Sequence, residues 1–307
     1  SVTIPGRGSA SFLNSSLGCC GLVSFESQLN NVHETTLQSF PLARPTVHHQ
    51  SKLAGMSITK ESELTGMKRV SEAVARTWKA MHDFTRPGIT TKQLDDFGAE
   101  MLRAYGAHSA PHKTYGFPGF TCISVNHEIA HGIPSANRII QDGDLINIDV
   151  SAELDGFWGD NGGSFVVGNG KAEHYRLVEA SREILNKAIA NIKGGVRISD
   201  IGSLIETEAR HKGYRVIRNL TGHGIGRSLH EEPHEIANYR DRFNTQRFRK
   251  NAVVAVETFI ATHSTLAKTL RDGWTLVGNK GGFVAQHEHT LVVTEGHPII
   301  LTSMNGI

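Results

Sequence analysis

Acidic residues set inside otherwise apolar, strand-like segments constrain this chain more than any other feature. Glu257 lies in Val253-Val254-Ala255-Val256-Glu257-Thr258-Phe259-Ile260, and Glu288 in Gln286-His287-Glu288-His289-Thr290-Leu291-Val292-Val293. A carboxylate in such a strand is costly unless it is paired or bound to a metal. Alternation along the second segment puts His287 and His289 on the face opposite Glu288, so Glu288 is the inward group. Any fold for this chain must supply these carboxylates with a partner.

A second pair of acids is placed by a turn. Ile146, Ile148 and Val150 alternate with Asn147, Asp149 and Ser151, which predicts a half-buried strand with one polar face. Asp155-Gly156 is a type I′ hairpin signal, and Phe157 to Val167 is the returning strand. A two-residue turn there opposes Leu154 with Phe157, Ser151 with Asp160, and Asp149 with Gly162. Asp149 and Asp160 then sit diagonally on one sheet face, with Cβ atoms about 7 Å apart or somewhat less. Two carboxylates aimed at one space repel unless a proton or a cation lies between them. Two solvent-facing aspartates are the plainer alternative, although both are flanked by apolar residues.

The fifth group is an imidazole. Thr221-Gly222-His223-Gly224-Ile225-Gly226 is followed by His230-Glu231-Glu232-Pro233, and the glycines allow the backbone to bring His223 close to a ligand. The segment lacks the Lys-Ser/Thr ending of a phosphate-binding P-loop and carries no dinucleotide fingerprint. Asp149, Asp160, Glu257 and Glu288 sum to a charge of −4, which two divalent cations balance and one does not. Oxygen-rich ligation with one imidazole and no thiolate suits manganese, iron(II), cobalt or zinc. Two such ions about 3.5–4 Å apart activate a hydroxide for attack on a carbonyl. These residues therefore point to metal-assisted hydrolysis.

The remaining pattern is a mixture of helices and strands, α/β or α+β in class. Met67, Val70, Val74, Trp78 and Met81 predict an amphipathic helix ended by Pro87-Gly88; Leu94, Phe97, Met101 and Leu102 predict another ended by Gly106. The same unit recurs: Leu177, Ile184, Leu185 and Ile189 lead to Gly194-Gly195, and Ile201, Leu204 and Ile205 lead to Gly213. The interval from Gly88 to Gly106 equals that from Gly195 to Gly213, which suggests an internal duplication with a site at its seam. Residues 1–52 are Ser- and Gly-rich without sustained periodicity and are read as an extension or linker; residues 53–307 form the catalytic domain. A net charge of +2 gives no reason to expect binding to nucleic acid or a membrane surface. Three cysteines cannot build a disulfide framework, so a reducing, cytoplasmic setting is expected. The extension leaves organellar targeting open.

Five linked segments carry a family resemblance. Asn126-His127-Glu128-Ile129-Ala130-His131-Gly132-Ile133-Pro134, Ile148-Asp149-Val150 with Asp160, Gly222 to Gly226 with His230 to Pro233, Val256-Glu257, and Glu288-His289-Thr290 occur in the order and spacing of type I methionine aminopeptidases. The resemblance spans roughly residues 55 to 300. It implies a pita-bread α/β fold with pseudo-twofold duplicated halves and a central curved antiparallel sheet. It also implies two divalent metals held by Asp149, Asp160, His223, Glu257 and Glu288, with Asp160 and Glu288 bridging. The implied activity removes initiator Met from nascent chains whose second residue is small.

By position, the resemblance makes His131 a contact to the substrate amine or scissile amide, and His230 the group that polarises the scissile carbonyl. Glu257 takes a proton from the water and returns one to the leaving amine. Phe117, Cys122, Leu229 and Trp274 match the pocket for the Met side chain. A monomer is implied, with the ribosome a possible docking partner for the extension. Several positions depart from the family pattern: Thr258 after the metal glutamate, Asn161-Gly162-Gly163 after Asp160, the basic stretch 238–250, and the surroundings of Pro111 and Thr114. Two alternatives share much of the site. An X-Pro aminopeptidase or prolidase would keep the ligands but normally adds a longer N-terminal domain, and a non-catalytic peptide-binding relative would keep the fold.

Overall fold

The computed structural model describes residues 55–307. The extension expected over 1–52 lies outside the described residues. The patterned helices form where their apolar spacing places them. Helix α1 (Glu61–Phe84) buries Met67, Val70, Val74, Trp78 and Met81 in one stripe. At its start the Glu63 carboxylate accepts the N–H groups of Thr59 at 2.9 Å and Lys60 at 3.2 Å. Such a cap contributes about 1 kcal/mol, whereas each large buried side chain contributes about 1.5–3 kcal/mol. The stripe therefore holds α1, and the cap sets only where it begins. Helix α2 (Thr91–Ala104) opens on a reciprocal capping box between Thr90 and Gln93. A short α3 (Ala110–Tyr115), then α4 (Ala172–Ala190) and α5 (Ile198–His211), complete the α-helices among the described residues.

The main sheet is antiparallel throughout. Its central order runs from Leu145–Leu154 to Phe157–Val166, Val284–Val292, Val253–Ala261, Thr221–Gly224 and Glu231–Ala237. The strand Cys122–Val125 pairs on the outer side of Leu145–Leu154. The Asp155-Gly156 turn has φ of 53° and 78°, the positive pair a type I′ turn requires. The hairpin register is the expected one: Leu154 opposes Phe157, Ser151 opposes Asp160, and Asp149 opposes Gly162.

One expectation needs correction. The strand around Asp149 was expected to be half-buried with one polar face, yet both faces are covered and only Asp149 is partly open. The apolar face packs on α1, where the Trp78 indole N–H donates to the Ile148 carbonyl at 2.9 Å. The polar face is closed by other polar groups: Asn147 Nδ2 donates to Gln286 Oε1 at 2.7 Å and to Ser164 Oγ at 3.2 Å. Hydrogen bonding across the sheet interior makes that polar burial tolerable.

The same packing explains the glycines after Asp160. A Cβ on Gly163 would stand 2.7 Å from the Trp78 ring, and one on Gly162 would stand 2.5 Å from Gln286 Oε1. Gly163 has no room for a side chain against the Trp78 ring, and a side chain at Gly162 would displace the Gln286 amide.

The duplication expected from the glycine interval is visible in hydrogen bonds. Gly88 N–H donates to the Ile140 carbonyl at 2.9 Å, and Ile140 N–H returns to Ile89 at 2.8 Å. In the second half Gly195 N–H donates to Phe248 at 2.9 Å, and Phe248 N–H returns to Val196 at 2.9 Å. Gly106 and Gly213 end α2 and α5 with φ of 72° and 82°. Each is followed by a two-residue strand, His108–Ser109 or Arg215–Val216, paired antiparallel to a long central strand. One core gathers α1 and the first hairpin, and a second gathers α4, α5 and the Val253–Ala261 and Val284–Val292 strands. This is the pita-bread arrangement, and the helices on one face leave the other face to form a cleft.

Candidate metal centre and active-site cleft

The five metal-ligand candidates converge from five strands. Asp149 and Asp160 come from the hairpin, His223 from Thr221–Gly224, Glu257 from Val253–Ala261 and Glu288 from Val284–Val292. Register puts Glu257 directly opposite Glu288. One ligand atom each from Asp160, His223 and Glu288 lie within 4.8 Å of one another, and all three residues are buried. Asp149 and Glu257 line the same cleft and keep part of their surface open to it.

That cleft has a volume of about 470 Å³ and also takes in His131, His230, Phe117, Cys122, Leu229 and Trp274. The structure thus brings every candidate residue into one space. Phe117 and Trp274 meet edge to face with ring centroids 5.3 Å apart, and Phe117, Cys122 and Leu229 are buried. Together they make an apolar end beside the acidic one. His131 stands at the cleft with a left-handed φ of 54°, a conformation uncommon outside glycine. The next residue has no choice: a Cβ on Gly132 would meet the Ile123 carbonyl oxygen at 2.2 Å.

The electrostatics show what the acidic end would accommodate. Burial pushes Asp149 up to about 6. Burial, then the charges of Asp149 and Glu257, hold Asp160 well above the usual carboxylate range. Glu257 is raised by burial and by Asp149, and Glu288 by burial, Asp160, Glu257 and Asp149. Among the described residues no Lys or Arg lines the cleft. Among the described residues Asp160 Oδ1, which is buried, has no hydrogen-bond partner. A buried, unpartnered carboxylate oxygen among three other acids calls for a proton or a cation, and the residues present fit a cation.

The histidines are set for that chemistry. His223 Nδ1–H donates to the Gly224 carbonyl at 3.0 Å, which leaves Nε2 as a lone pair 3.9 Å from Asp160 Oδ2. Burial and nearby His230 lower its pKa to about 3, so the ring is neutral. Removal from water, with His131 and His234 beside it, lowers His230 to about 4. The two rings lie with centroids 4.2 Å apart.

Three supporting residues were missed in the sequence. Gln286 Nε2 donates to Glu288 Oε2 at 3.0 Å and to Glu257 Oε2 at 3.5 Å. Thr290 Oγ1 accepts the Asp160 N–H at 3.0 Å and donates to the Asp160 carbonyl at 2.7 Å. Both stand two positions from Glu288, so strand alternation alone could have marked them. Tyr115, whose hydroxyl lies 2.7 Å from His230 Nδ1, had no comparable local signal. Thr258, which departs from the family pattern, bonds toward Ser181 on α4, away from the cleft, whereas Pro111 does line it.

Fold and site together define a metallopeptidase. The sequence profile of metallopeptidase family M24 matches residues 65–295, and the chain belongs to that family. Divalent metal use comes with it. The chain is 46% identical over 249 residues to methionine aminopeptidase 2 of Bacillus subtilis (strain 168), covering 81% of this chain and 100% of that protein. A methionine aminopeptidase of Staphylococcus epidermidis (strain ATCC 12228 / FDA PCI 1200) is 39% identical over 251 residues, with 81% and 100% covered. Among solved structures, methionine aminopeptidase from Thermotoga maritima superposes with a TM-score of 0.76 at 34% identity, covering 80% of this chain and 99% of that one. An X-Pro aminopeptidase from Thermotoga maritima MSB8 shares the fold at a TM-score of 0.64 and 23% identity, but only 61% of it is covered.

Proposed function

We propose that the chain removes the N-terminal methionine from peptides and nascent proteins with a small second residue. Asp149, Asp160, His223, Glu257 and Glu288 would hold two divalent ions. One observation carries this reading: Asp160, His223 and Glu288 present ligand atoms within 4.8 Å of one another, in a cleft lined by no Lys or Arg among the described residues. Similarity to methionine aminopeptidases along their full length supports the choice of substrate. The X-Pro enzyme matches at lower identity and over a smaller share of its length.

When bound, the ions supply Lewis acidity toward the scissile carbonyl and lower the pKa of the attacking water. The protein's own groups do the rest. The Met side chain, flexible and polarisable, enters the apolar end formed by Phe117, Cys122, Leu229 and Trp274. Glu257 accepts a proton from the attacking water on a carboxylate oxygen. The carboxyl then delivers that proton to the leaving amine as the C–N bond breaks. His230 donates to the developing oxyanion, a placed donor of the kind worth about 3–4 kcal/mol. His131 contacts the substrate amine or the amide being cut. Water is consumed, and free methionine and the shortened chain leave.

The same reading takes residues 53–307 as one catalytic domain acting as a monomer in a reducing, cytoplasmic compartment. Residues 1–52 are left for other contacts, ribosome docking among them. Among the described residues no helix is long and apolar enough to cross a membrane. A peptide panel varying the first two residues tests the function. Release of Met from Met-Ala-Ser with little cleavage of Xaa-Pro peptides is expected, and the reverse preference would overturn the assignment.

A further inference from the structure

We propose that Tyr115 is a positioning residue for His230: its hydroxyl donates to Nδ1 and so keeps the ring proton on Nε2, the nitrogen that must donate to the scissile carbonyl. The inference rests on the proposed peptidase function and adds a residue outside the metal-ligand and Met-pocket sets. Tyr115 Oη lies 2.7 Å from His230 Nδ1, with ring centroids 6.1 Å apart. Among the described residues no other hydrogen-bond partner of the His230 ring is present.

Both ends of the contact are anchored. Tyr115 is the last residue of α3, closed by Gly116 in the left-handed conformation at φ 69°, with Gly116 N–H donating to the His112 carbonyl at 3.1 Å. Lys113 ties the helix to Glu153 on the hairpin at 2.6 Å, and His112 Nδ1 donates to the Phe117 carbonyl at 3.0 Å. On the other side Glu231 Oε1 accepts the N–H groups of Arg227 at 2.6 Å and Ser228 at 2.8 Å, while Oε2 accepts that of Met56 at 2.6 Å. Ser228 Oγ donates to the His230 carbonyl at 3.0 Å. The hydroxyl and the imidazole therefore meet as parts of two fixed rims of the cleft.

The direction of the bond follows from what faces the ring. A neutral imidazole carries one N–H, and whichever nitrogen accepts a hydrogen bond leaves the proton on the other. With Nδ1 accepting from the phenol, Nε2–H is a donor in a cleft holding four carboxylates. The opposite arrangement would present a bare Nε2 lone pair to a substrate carbonyl oxygen. Only the first arrangement lets His230 stabilise an oxyanion.

The experiment pairs kinetics with a direct view of the ring. With Met-Ala-Ser as substrate, Tyr115→Phe is expected to lower kcat roughly tenfold or more while KM stays within about twofold. In a His230→Ala background the same substitution is expected to change kcat by less than about twofold, since its effect runs through His230. Nitrogen-15 spectra of the zinc-loaded full chain, with the His230 signals identified by their loss in His230→Ala, are expected to show the Nε2–H form, replaced by a tautomer mixture in Tyr115→Phe. A raised KM at unchanged kcat, an equal loss in the His230→Ala background, or an Nδ1–H ring in the unsubstituted protein would overturn the proposal. A protein that cleaves no peptide would fail the proposed function instead, and the ring spectra would still decide the Tyr115 contact.

Discussion

The Val253–Ala261 and Val284–Val292 strands carry polar groups on both faces, and the two faces solve burial differently. On the face toward α4, His287 Nδ1 meets Ser181 Oγ at 3.0 Å, Ser181 Oγ donates to the Ala285 carbonyl at 3.1 Å, and His289 Nδ1 meets Thr302 Oγ1 at 2.8 Å. Those imidazoles are neutral, lowered by burial to about 3 and about 4, and their Nδ1 atoms are partnered. On the cleft face Glu257 and Glu288 oppose each other and share the Gln286 amide, and among the described residues Asp160 Oδ1 has no partner. Buried polar groups are normally satisfied, so the difference separates what the fold completes by itself from what it leaves for a ligand.

Substitutions on the two faces should therefore fail differently. Glu257→Gln is expected to lower kcat by roughly 10²–10⁴-fold, because the amide cannot take a proton from water, and Met release from Met-Ala-Ser measures it. Asp149→Asn is expected to weaken metal affinity roughly 10- to 100-fold, read by metal titration of the chelator-treated protein. Ser181→Ala, on the other face, is expected to cost about 1–3 kcal/mol of stability with metal content and kcat unchanged, checked by denaturant unfolding beside a metal assay. A change in metal content there would erase the distinction between the faces.

The smallest effect is in pH. Asp149 is raised in the folded, metal-free protein, so its contribution is fully present below its ordinary pKa and is lost as pH rises through about 6. His287 and His289 are lowered, so theirs is present above the ordinary histidine value and is lost as pH falls through about 4 and then about 3. Asp149 and the two histidines therefore slope in opposite directions between those limits. Metal reverses only the cleft face, since its ligands bind deprotonated. The rise in Tm on adding metal should therefore grow as pH increases from about 4 to about 7, as a thermal-shift series would show.

Much of this is legible in the amino-acid sequence. The Asp155-Gly156 turn set the hairpin register, and with it the meeting of Asp149 and Asp160. Alternation alone placed Glu288 inward and its flanking histidines outward. What sequence could not supply were contacts between distant segments. The closed polar face of the Asp149 strand depends on Gln286, 139 residues from Asn147. Gly162 and Gly163 make sense only once Gln286 and Trp78 press on them from opposite faces. The pairing of Glu257 with Glu288 needs a strand register that no local turn fixes, because the segment between them is long. Tyr115 reaches His230 across 115 positions, and nothing in its own neighbourhood announces that contact.

The most direct test of the central claim follows one preparation through loss and return of metal. Release of methionine from Met-Ala-Ser would be measured on the purified full chain, after exhaustive chelation, and after titration with a divalent ion. The account predicts turnover that disappears with the metal and returns as ions are added, saturating at two per chain. Undiminished turnover in the chelated, metal-free protein would contradict it.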